Sequence, residues 1–94
     1  MAEQIRVLVV DDHAVVRSGL INILGAESDL TVVGEASDGL EAINKALELK
    51  PDVILIDIFM PRCTGLEATV AIMENLPEAK VLILTISERE EDLF

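Results

Sequence analysis

The stretch VILIDIFMP, residues 53–61, decides the fold, because four unbroken branched apolar residues lead directly into one carboxylate, Asp57. An uninterrupted run of this kind is typical of a strand that is buried on both faces, as in a parallel sheet covered by helices on each side. A charge at the end of such a strand belongs at the carboxyl edge of the sheet, where open α/β folds bind ligands. Asp57 is therefore the first candidate site residue.

Three more apolar runs surround this strand, so strands are predicted at residues 5–10, 30–36, 53–57 and 81–84. Helices with apolar stripes of period 3.6 are predicted between them. This alternation predicts an α/β fold with a doubly wound parallel sheet. The second strand contains Thr31, Gly34 and Glu35 and is predicted to be an edge, which gives the strand order 2-1-3-4. The predicted stripes consist of Val16, Leu20, Ile23 and Leu24 in the first helix, Leu40, Ile43 and Leu47 in the second, and Leu66, Val70 and Met73 in the third.

Polar residues and glycines mark the ends of the predicted helices. Asp12 is placed to cap or flank the start of the first helix, and Gly25 is placed to stop it. Gly19 lies inside that helix and predicts close packing against a neighbouring element. Asp38 precedes Glu41 by three residues, a spacing that predicts a capping box at the second helix.

Composition bounds the class of protein. The 94 residues suffice for one small domain, and the formal net charge of -11 argues against nucleic-acid binding by this segment while it suits a basic partner or a metal cation. Cys63 is the only cysteine, which fits a reducing compartment. Neither a signal peptide nor an apolar run of about 20 residues is found, so a cytoplasmic protein with no membrane segment is expected.

Acidic residues end two of the predicted strands. Asp11 and Asp12 follow the first strand and Asp57 ends the third, so neighbouring strands would bring all three together at the switch point of the sheet. Three clustered carboxylates repel one another unless a cation such as Mg²⁺ intervenes, and an aspartate beside that ion can attack phosphorus and form an acyl phosphate. Thr85 ends the fourth strand at the same edge, where its hydroxyl could donate to a phosphoryl oxygen. A single aspartate or His13 alone would more often be a turn, cap or structural residue.

Several motifs in order resemble one known family. They are VLVVDDH at 7–13, RSGL at 17–20, DIFMP at 57–61, GLEA at 65–68 and LT at 84–85. Together they resemble the receiver domain of a bacterial two-component response regulator, in particular the NarL/FixJ (LuxR-type) subfamily. The resemblance covers the whole chain, residues 1–94, and implies the flavodoxin-like receiver fold.

The resemblance also implies a role for each site residue. Asp57 would be the phosphoacceptor and Thr85 the switch hydroxyl that follows the phosphoryl group. Asp12 would bind Mg²⁺ directly, Asp11 would bind it largely through water, and the backbone carbonyl of Phe59 would complete the protein ligands. The phosphodonor would be a sensor histidine kinase. Such a domain is not an enzyme but takes part in its own phosphorylation and dephosphorylation.

The chain also departs from the family pattern. A receiver has a fifth strand that carries a lysine and then a fifth helix, and neither is found here, so a receiver truncated at the start of its fourth helix is expected. Regulators of this subfamily reach DNA through a C-terminal helix-turn-helix domain that is also missing. The fourth strand would then be an exposed edge, so a homodimer is expected, formed either by pairing of the fourth strands of two chains or by exchange of elements between them.

Two other functions remain open from the sequence. A phosphatase similar to the haloacid dehalogenases would also form an aspartyl phosphate, but it needs a second acid two residues after the first, where this chain has Phe59. The other alternative is a receiver-like interaction module that works without phosphate. A beryllofluoride or Mg²⁺ titration followed at Thr85 would separate this module from a phosphoacceptor.

Overall fold

The computed structural model describes residues 4–58, 60 and 64–84. Its four strands are β1 (Ile5–Val10), β2 (Leu30–Ala36), β3 (Val53–Asp57) and β4 (Lys80–Leu84). Its three helices are α1 (Ala14–Gly25), α2 (Gly39–Leu49) and α3 (Gly65–Asn75). All strand pairs are parallel and the order is β2-β1-β3-β4, which confirms the predicted doubly wound sheet. The predicted start of a fourth helix lies outside the described residues.

Alternate residues of β1 feed two separate cores. Leu8 and Val10 belong to a core on the side of α2 and α3, whereas Val7 and Val9 belong to a core on the side of α1. Because side chains alternate across a strand, both faces of β1 are buried, as the unbroken apolar run predicts. Leu8, Val9 and Val10 are fully buried. The carboxyl end of β1 is thereby held rigidly at the middle of the sheet.

The strand β2 contains one extra residue. The pairing with β1 runs from Val7 opposite Val32 to Leu8 opposite Gly34, so Val33 is a β-bulge. After this shift, Glu35 lies opposite Val9, a residue whose side chain faces α1. Paired residues of parallel strands point to the same side of the sheet, so Glu35 is also directed toward α1.

The helical stripes predicted from the sequence are partly wrong. The sheet is contacted instead by small residues, Ala42 and Ala46 of α2 and Ala68 of α3, together with Ile72, and all four are fully buried. Small side chains let these helices approach the sheet closely, which turns the larger apolar residues outward or to the side. In α1 the predicted Leu20 and Leu24 do pack on the core. The predicted stripe residues that are exposed are Ile23, Leu40, Leu47, Leu66, Val70 and Met73.

The ends of α1 agree with the prediction in part. His13 is the N-cap residue and makes no side-chain cap bond, so Asp12 flanks the start of the helix without capping it. Its carboxylate lies instead in the acidic cluster at the edge of the sheet. Gly25 is the last helical residue, as expected, but no atom approaches within 4 Å of the Cβ position of Gly19. The predicted close packing at Gly19 is therefore wrong among the residues that the structure describes.

The start of α2 confirms half of the predicted capping box. Asp38 Oδ1 accepts a hydrogen bond from the backbone N–H of Glu41 at 2.9 Å. The carboxylate of Glu41 returns to Ser37 rather than to Asp38, because its Oε1 accepts from the Ser37 N–H at 2.7 Å and from the Ser37 hydroxyl at 3.0 Å. These two hydrogen bonds from Ser37 lower the pKa of Glu41 below its ordinary value.

Replacing Glu41 by glutamine is expected to lower the free energy of unfolding at pH 7 by about 0.5 kcal/mol, the lower end for loss of a helix cap. The folded-state pKa of Glu41 is depressed, so its charge stabilises the fold above the unfolded pKa, and this contribution is lost as the pH falls through the folded pKa. Urea unfolding should show a smaller difference at pH 3 than at pH 7. Glu48→Gln, at an exposed position of the same helix, is the control. An equal loss at both pH values would contradict the role of the charge.

Candidate functional site

The strand order brings the predicted acids together. Val10 of β1 pairs with Ile56 of β3, so Asp11 and Asp57 follow at the same edge of the sheet. One side-chain ligand atom from each of Asp11, Asp12, His13 and Asp57 lies within 4.8 Å of the others. The carboxyl edge therefore carries three carboxylates and one imidazole in a single cluster, which we call the acidic site.

Two of the three carboxylates in the acidic site are buried. Asp11 is 3% exposed and Asp57 is 7% exposed, whereas the side chain of Asp12 is 27% exposed. The backbone N–H of Asp11 donates to the carbonyl of Ala36 at 3.1 Å, which extends the contact of β1 with β2 by one residue. Buried carboxylates are costly unless hydrogen bonds, ion pairs or a cation compensate them, so this clustering is unfavourable for stability alone.

His13 supplies part of that compensation. Its backbone N–H donates to Asp11 Oδ1 at 2.8 Å. Its ring Nδ1 lies 3.2 Å from the same Asp11 oxygen and 3.1 Å from Asp12 Oδ1. No hydrogen bond of acceptable geometry reaches Asp12 Oδ1 within the described part of the chain, although this oxygen is buried. The three carboxylates, one of which has a buried oxygen that accepts no hydrogen bond, together offer the oxygen ligands that a hard cation such as Mg²⁺ requires.

Arg17 holds the backbone of the acidic site. Its Nη1 donates to the carbonyl oxygen of Asp11 at 2.7 Å, and its Nε donates to Glu35 Oε1 at 2.8 Å. The side chain is only 19% exposed, so it lies between α1, β2 and the end of β1. Arg17 is not part of the apolar stripe predicted for the first helix, and this contact was not predicted from the sequence. The only signal was a cation that follows an acidic pair within the first turns of a helix.

Gly65 brings α3 against the backbone of Asp57. Its N–H donates to the carbonyl of Ile58 at 3.1 Å. A Cβ added to Gly65 would lie 2.7 Å from Ile58 Cα and still closer to the carbonyl oxygen of Asp57. Only glycine allows this approach, so the first turn of α3 supports the peptide that carries Asp57.

A capping box fixes the same turn of α3. Thr64 Oγ1 accepts from the N–H of Glu67 at 3.2 Å, and Glu67 Oε1 accepts from the N–H of Thr64 at 2.8 Å. This box was not predicted, although the spacing of Thr64 and Glu67 is the ordinary sequence signal for one. Phe59 and Thr85, the other two predicted site residues, lie outside the described residues.

No helix in the described ranges is long and apolar enough to cross a membrane. This finding agrees with the absence of a long apolar run in the sequence.

Comparison with known proteins gives consistent matches. The family model described as the response regulator receiver domain matches residues 7–94. The response regulator protein VraR of Staphylococcus aureus is 49% identical over 90 residues, which cover 96% of this chain and 43% of VraR. The chain thus spans less than half the length of the curated relatives that it matches.

Solved structures extend the likeness to the fold. A two-component response regulator of the LuxR family from Aurantimonas sp. SI85-9A1 matches with a TM-score of 0.85 and 34% identity, over 92% of this chain and 61% of that chain. The CheX–CheY–BeF3–Mg²⁺ complex from Borrelia burgdorferi matches with a TM-score of 0.82 and 28% identity, over 96% and 70% of the two chains. With the parallel sheet and the acidic site at its switch point, these matches show that the chain belongs to the response regulator receiver domains of two-component systems, with LuxR/NarL-type relatives.

Proposed function

We propose that residues 1–94 act as one phospho-accepting receiver unit, in which Asp57 takes a phosphoryl group from a sensor histidine kinase. The observation that carries the proposal is the position of Asp57, a buried carboxylate at the end of β3 within 4.8 Å of the ligand atoms of Asp11 and Asp12. Three clustered acids lower the stability of the fold unless a cation or hydrogen bonds compensate their charge, so such a cluster indicates a functional site, and membership in the receiver family indicates which one.

The transfer step follows from ordinary phosphoryl chemistry. An oxygen of the Asp57 carboxylate attacks the phosphorus, an O–P bond forms, the N–P bond to the kinase histidine breaks, and the imidazole leaves with the electron pair of that bond. Such transfers need mainly positioning and neutralisation of charge. Burial of Asp57 fixes its carboxylate, while the contacts of Gly65 and Arg17 hold the two peptides on which Asp57 and Asp11 stand.

A bound Mg²⁺ would neutralise the charge on the phosphoryl oxygens. Asp12 would hold this ion directly, and Asp11 would hold it largely through water. We include the carbonyl of Phe59 as a further ligand and the hydroxyl of Thr85 as a donor to the phosphoryl group, on the resemblance of their motifs to the family. The buried Asp12 Oδ1 that lacks a donor supports the metal part of this proposal. With these residues and the bound ion, the domain would take part in its own phosphorylation and dephosphorylation.

The wider role belongs to the proposal too. We infer a cytoplasmic regulator of transcription that forms a homodimer and whose output would be a helix-turn-helix domain that binds DNA. The support is the match to a LuxR-family regulator. The net charge of -11 indicates that residues 1–94 do not themselves bind DNA.

A titration of the folded protein with Mg²⁺, then with beryllofluoride, tests the site. Followed by NMR, Mg²⁺ should shift the signals of Asp11, Asp12 and Asp57 first, and beryllofluoride should add a second set of shifts only when Mg²⁺ is present. Asp12→Asn is expected to weaken Mg²⁺ binding at least about tenfold, because it removes a ligand rather than a partner of one.

The matched control is Asp29→Asn, which changes the net charge equally at the opposite end of the sheet. It should leave the Mg²⁺ affinity close to that of the unaltered protein. If neither Mg²⁺ nor beryllofluoride perturbs the acidic site, the chain is an interaction module that works without phosphate.

A further inference from the structure

His13 places a nitrogen atom between two carboxylates of the acidic site. Its Nδ1 lies 3.2 Å from Asp11 Oδ1 and 3.1 Å from Asp12 Oδ1. The side chain makes no cap bond to α1, although His13 is the N-cap residue of that helix. The ring nitrogen Nδ1 of His13 is therefore in contact with the acidic site.

These separations match the spacing of ligands around one metal ion. Metal–oxygen and metal–nitrogen bonds of about 2.1 Å place two ligands at right angles about 3.0 Å apart. The distances from His13 Nδ1 to the two carboxylate oxygens, 3.2 Å and 3.1 Å, are close to that value. The ring nitrogen thus stands in the position of a ligand adjacent to both carboxylates, with Asp57 still within 4.8 Å.

Nitrogen and oxygen donors select different cations. Mg²⁺ takes oxygen ligands and water, whereas imidazole is a good ligand for first-row transition cations such as Co²⁺, Ni²⁺ and Zn²⁺. We propose that His13 Nδ1 is a nitrogen ligand of the acidic site, so that the site selects a first-row transition cation over Mg²⁺ more strongly than its carboxylates alone would. The inference rests on the proposed cation site at Asp11, Asp12 and Asp57.

The role of His13 changes with the metal. Toward a transition cation, the neutral ring carries its proton on Nε2 and offers the lone pair of Nδ1. Toward Mg²⁺, the ring gives no ligand, and an Nδ1–H that donates to Asp11 Oδ1 competes with the ion for that oxygen atom. Removal of the imidazole should therefore move the two affinities differently, which a purely structural role of His13 would not do.

Calorimetric titration with Ni²⁺ alone and with Mg²⁺ alone tests this inference. His13→Ala should weaken Ni²⁺ binding at least about 100-fold, more than the roughly 10–100-fold cost of losing only a partner of a ligand. The Mg²⁺ affinity should stay the same or rise. Bound Co²⁺ gives a visible absorption spectrum that depends on its ligands, and His13→Ala should alter the bands of that complex.

Two further variants make the result decisive. Ser18→Ala, at an exposed position of the same helix, should bind both ions as the unaltered protein does. His13→Asn retains a residue favoured at the helix start and should repeat the fall in Ni²⁺ affinity if His13→Ala is poorly folded. Equal losses for Ni²⁺ and Mg²⁺, or no loss for Ni²⁺, overturn the role of His13.

The variant Asp12→Asn distinguishes failure of the inference about His13 from failure of the proposed cation site. If Asp12→Asn weakens the binding of both ions while the His13 variants show no selective effect, only the inference about His13 fails. If Asp12→Asn leaves both affinities unchanged, the proposed cation site is wrong, and the role of His13 falls with it.

Discussion

In the presence of Mg²⁺, the Asp57→Asn protein will take up no phosphoryl group from acetyl phosphate, whereas the unaltered protein will gain the mass of one phosphoryl group. The amide of asparagine has nearly the shape of the carboxylate, but it lacks the negative charge that attacks phosphorus. Asp57 is buried at the end of β3, so the acceptor is a fixed position and not one of many surface acids. We therefore expect loss of labelling and not a reduction in rate. Mass spectrometry of the intact protein measures it.

A stricter experiment tests whether the label is an acyl phosphate and whether it is attached to Asp57. An acyl phosphate is cleaved by hydroxylamine, so the labelled protein should lose the added mass on such treatment. Asp29→Asn carries the same change in charge far from the acidic site and should be labelled normally. Labelling of a folded Asp57→Asn protein, for example at Asp11 or Asp12, would show that another residue is the acceptor.

Gly65→Ala is expected to lower the free energy of unfolding by about 1–3 kcal/mol or more, the usual cost of forcing an atom into filled space. The added methyl group would meet the backbone of Asp57 and Ile58, which cannot turn aside as a flexible side chain can. Either α3 or the peptide of Asp57 must move. Urea unfolding measures the loss of stability, and the Mg²⁺ affinity should fall as well because the carboxylate of Asp57 shifts.

Gly19→Ala is the matched control for this change. Gly19 lies within α1, and nothing approaches within 4 Å of its Cβ position. The same chemical change there should stabilise the protein by about 0.5–1 kcal/mol, because alanine favours the helix. Changes in the free energy of unfolding that have opposite signs at the two glycines would establish that the contact made at Gly65, and not the change from glycine to alanine, causes the loss of stability. A Gly65→Ala protein as stable as the control would refute the close approach of α3 to β3.

The order of the strands in the sheet could be predicted from the sequence because the local pattern of apolar and polar residues distinguishes central strands from edge strands. Unbroken apolar runs predict buried strands, and the polar residues within β2 indicate an edge, which together give the observed order. The positions of Asp11, Asp12 and Asp57 then follow without any knowledge of side-chain packing, since the carboxyl ends of neighbouring parallel strands must meet.

The features that were missed depend on distances between elements. The helices α2 and α3 approach the sheet through Ala42, Ala46 and Ala68, whereas a pattern based on large apolar residues favours other faces. The same holds for Gly65, whose need for space is visible only when the backbone of Asp57 is in place. Contacts between elements that are distant in sequence thus limit what a periodic pattern can reveal.

The β-bulge at Val33 determines which changes in the length of β2 can be accepted during evolution. If residues 33–35 continued the register of Val32 without a bulge, Glu35 would lie opposite Val10 and point toward the layer of α2 and α3, away from Arg17. Deletion of the codon for Val33 would remove the bulge but leave Glu35 opposite Val9, so that the acid would still accept from Arg17, the residue that holds the Asp11 carbonyl. A gap of one codon before Glu35 is therefore expected to be tolerated in lineages that keep Arg17 and Glu35, whereas a gap of two codons would turn the acid to the other face of the sheet.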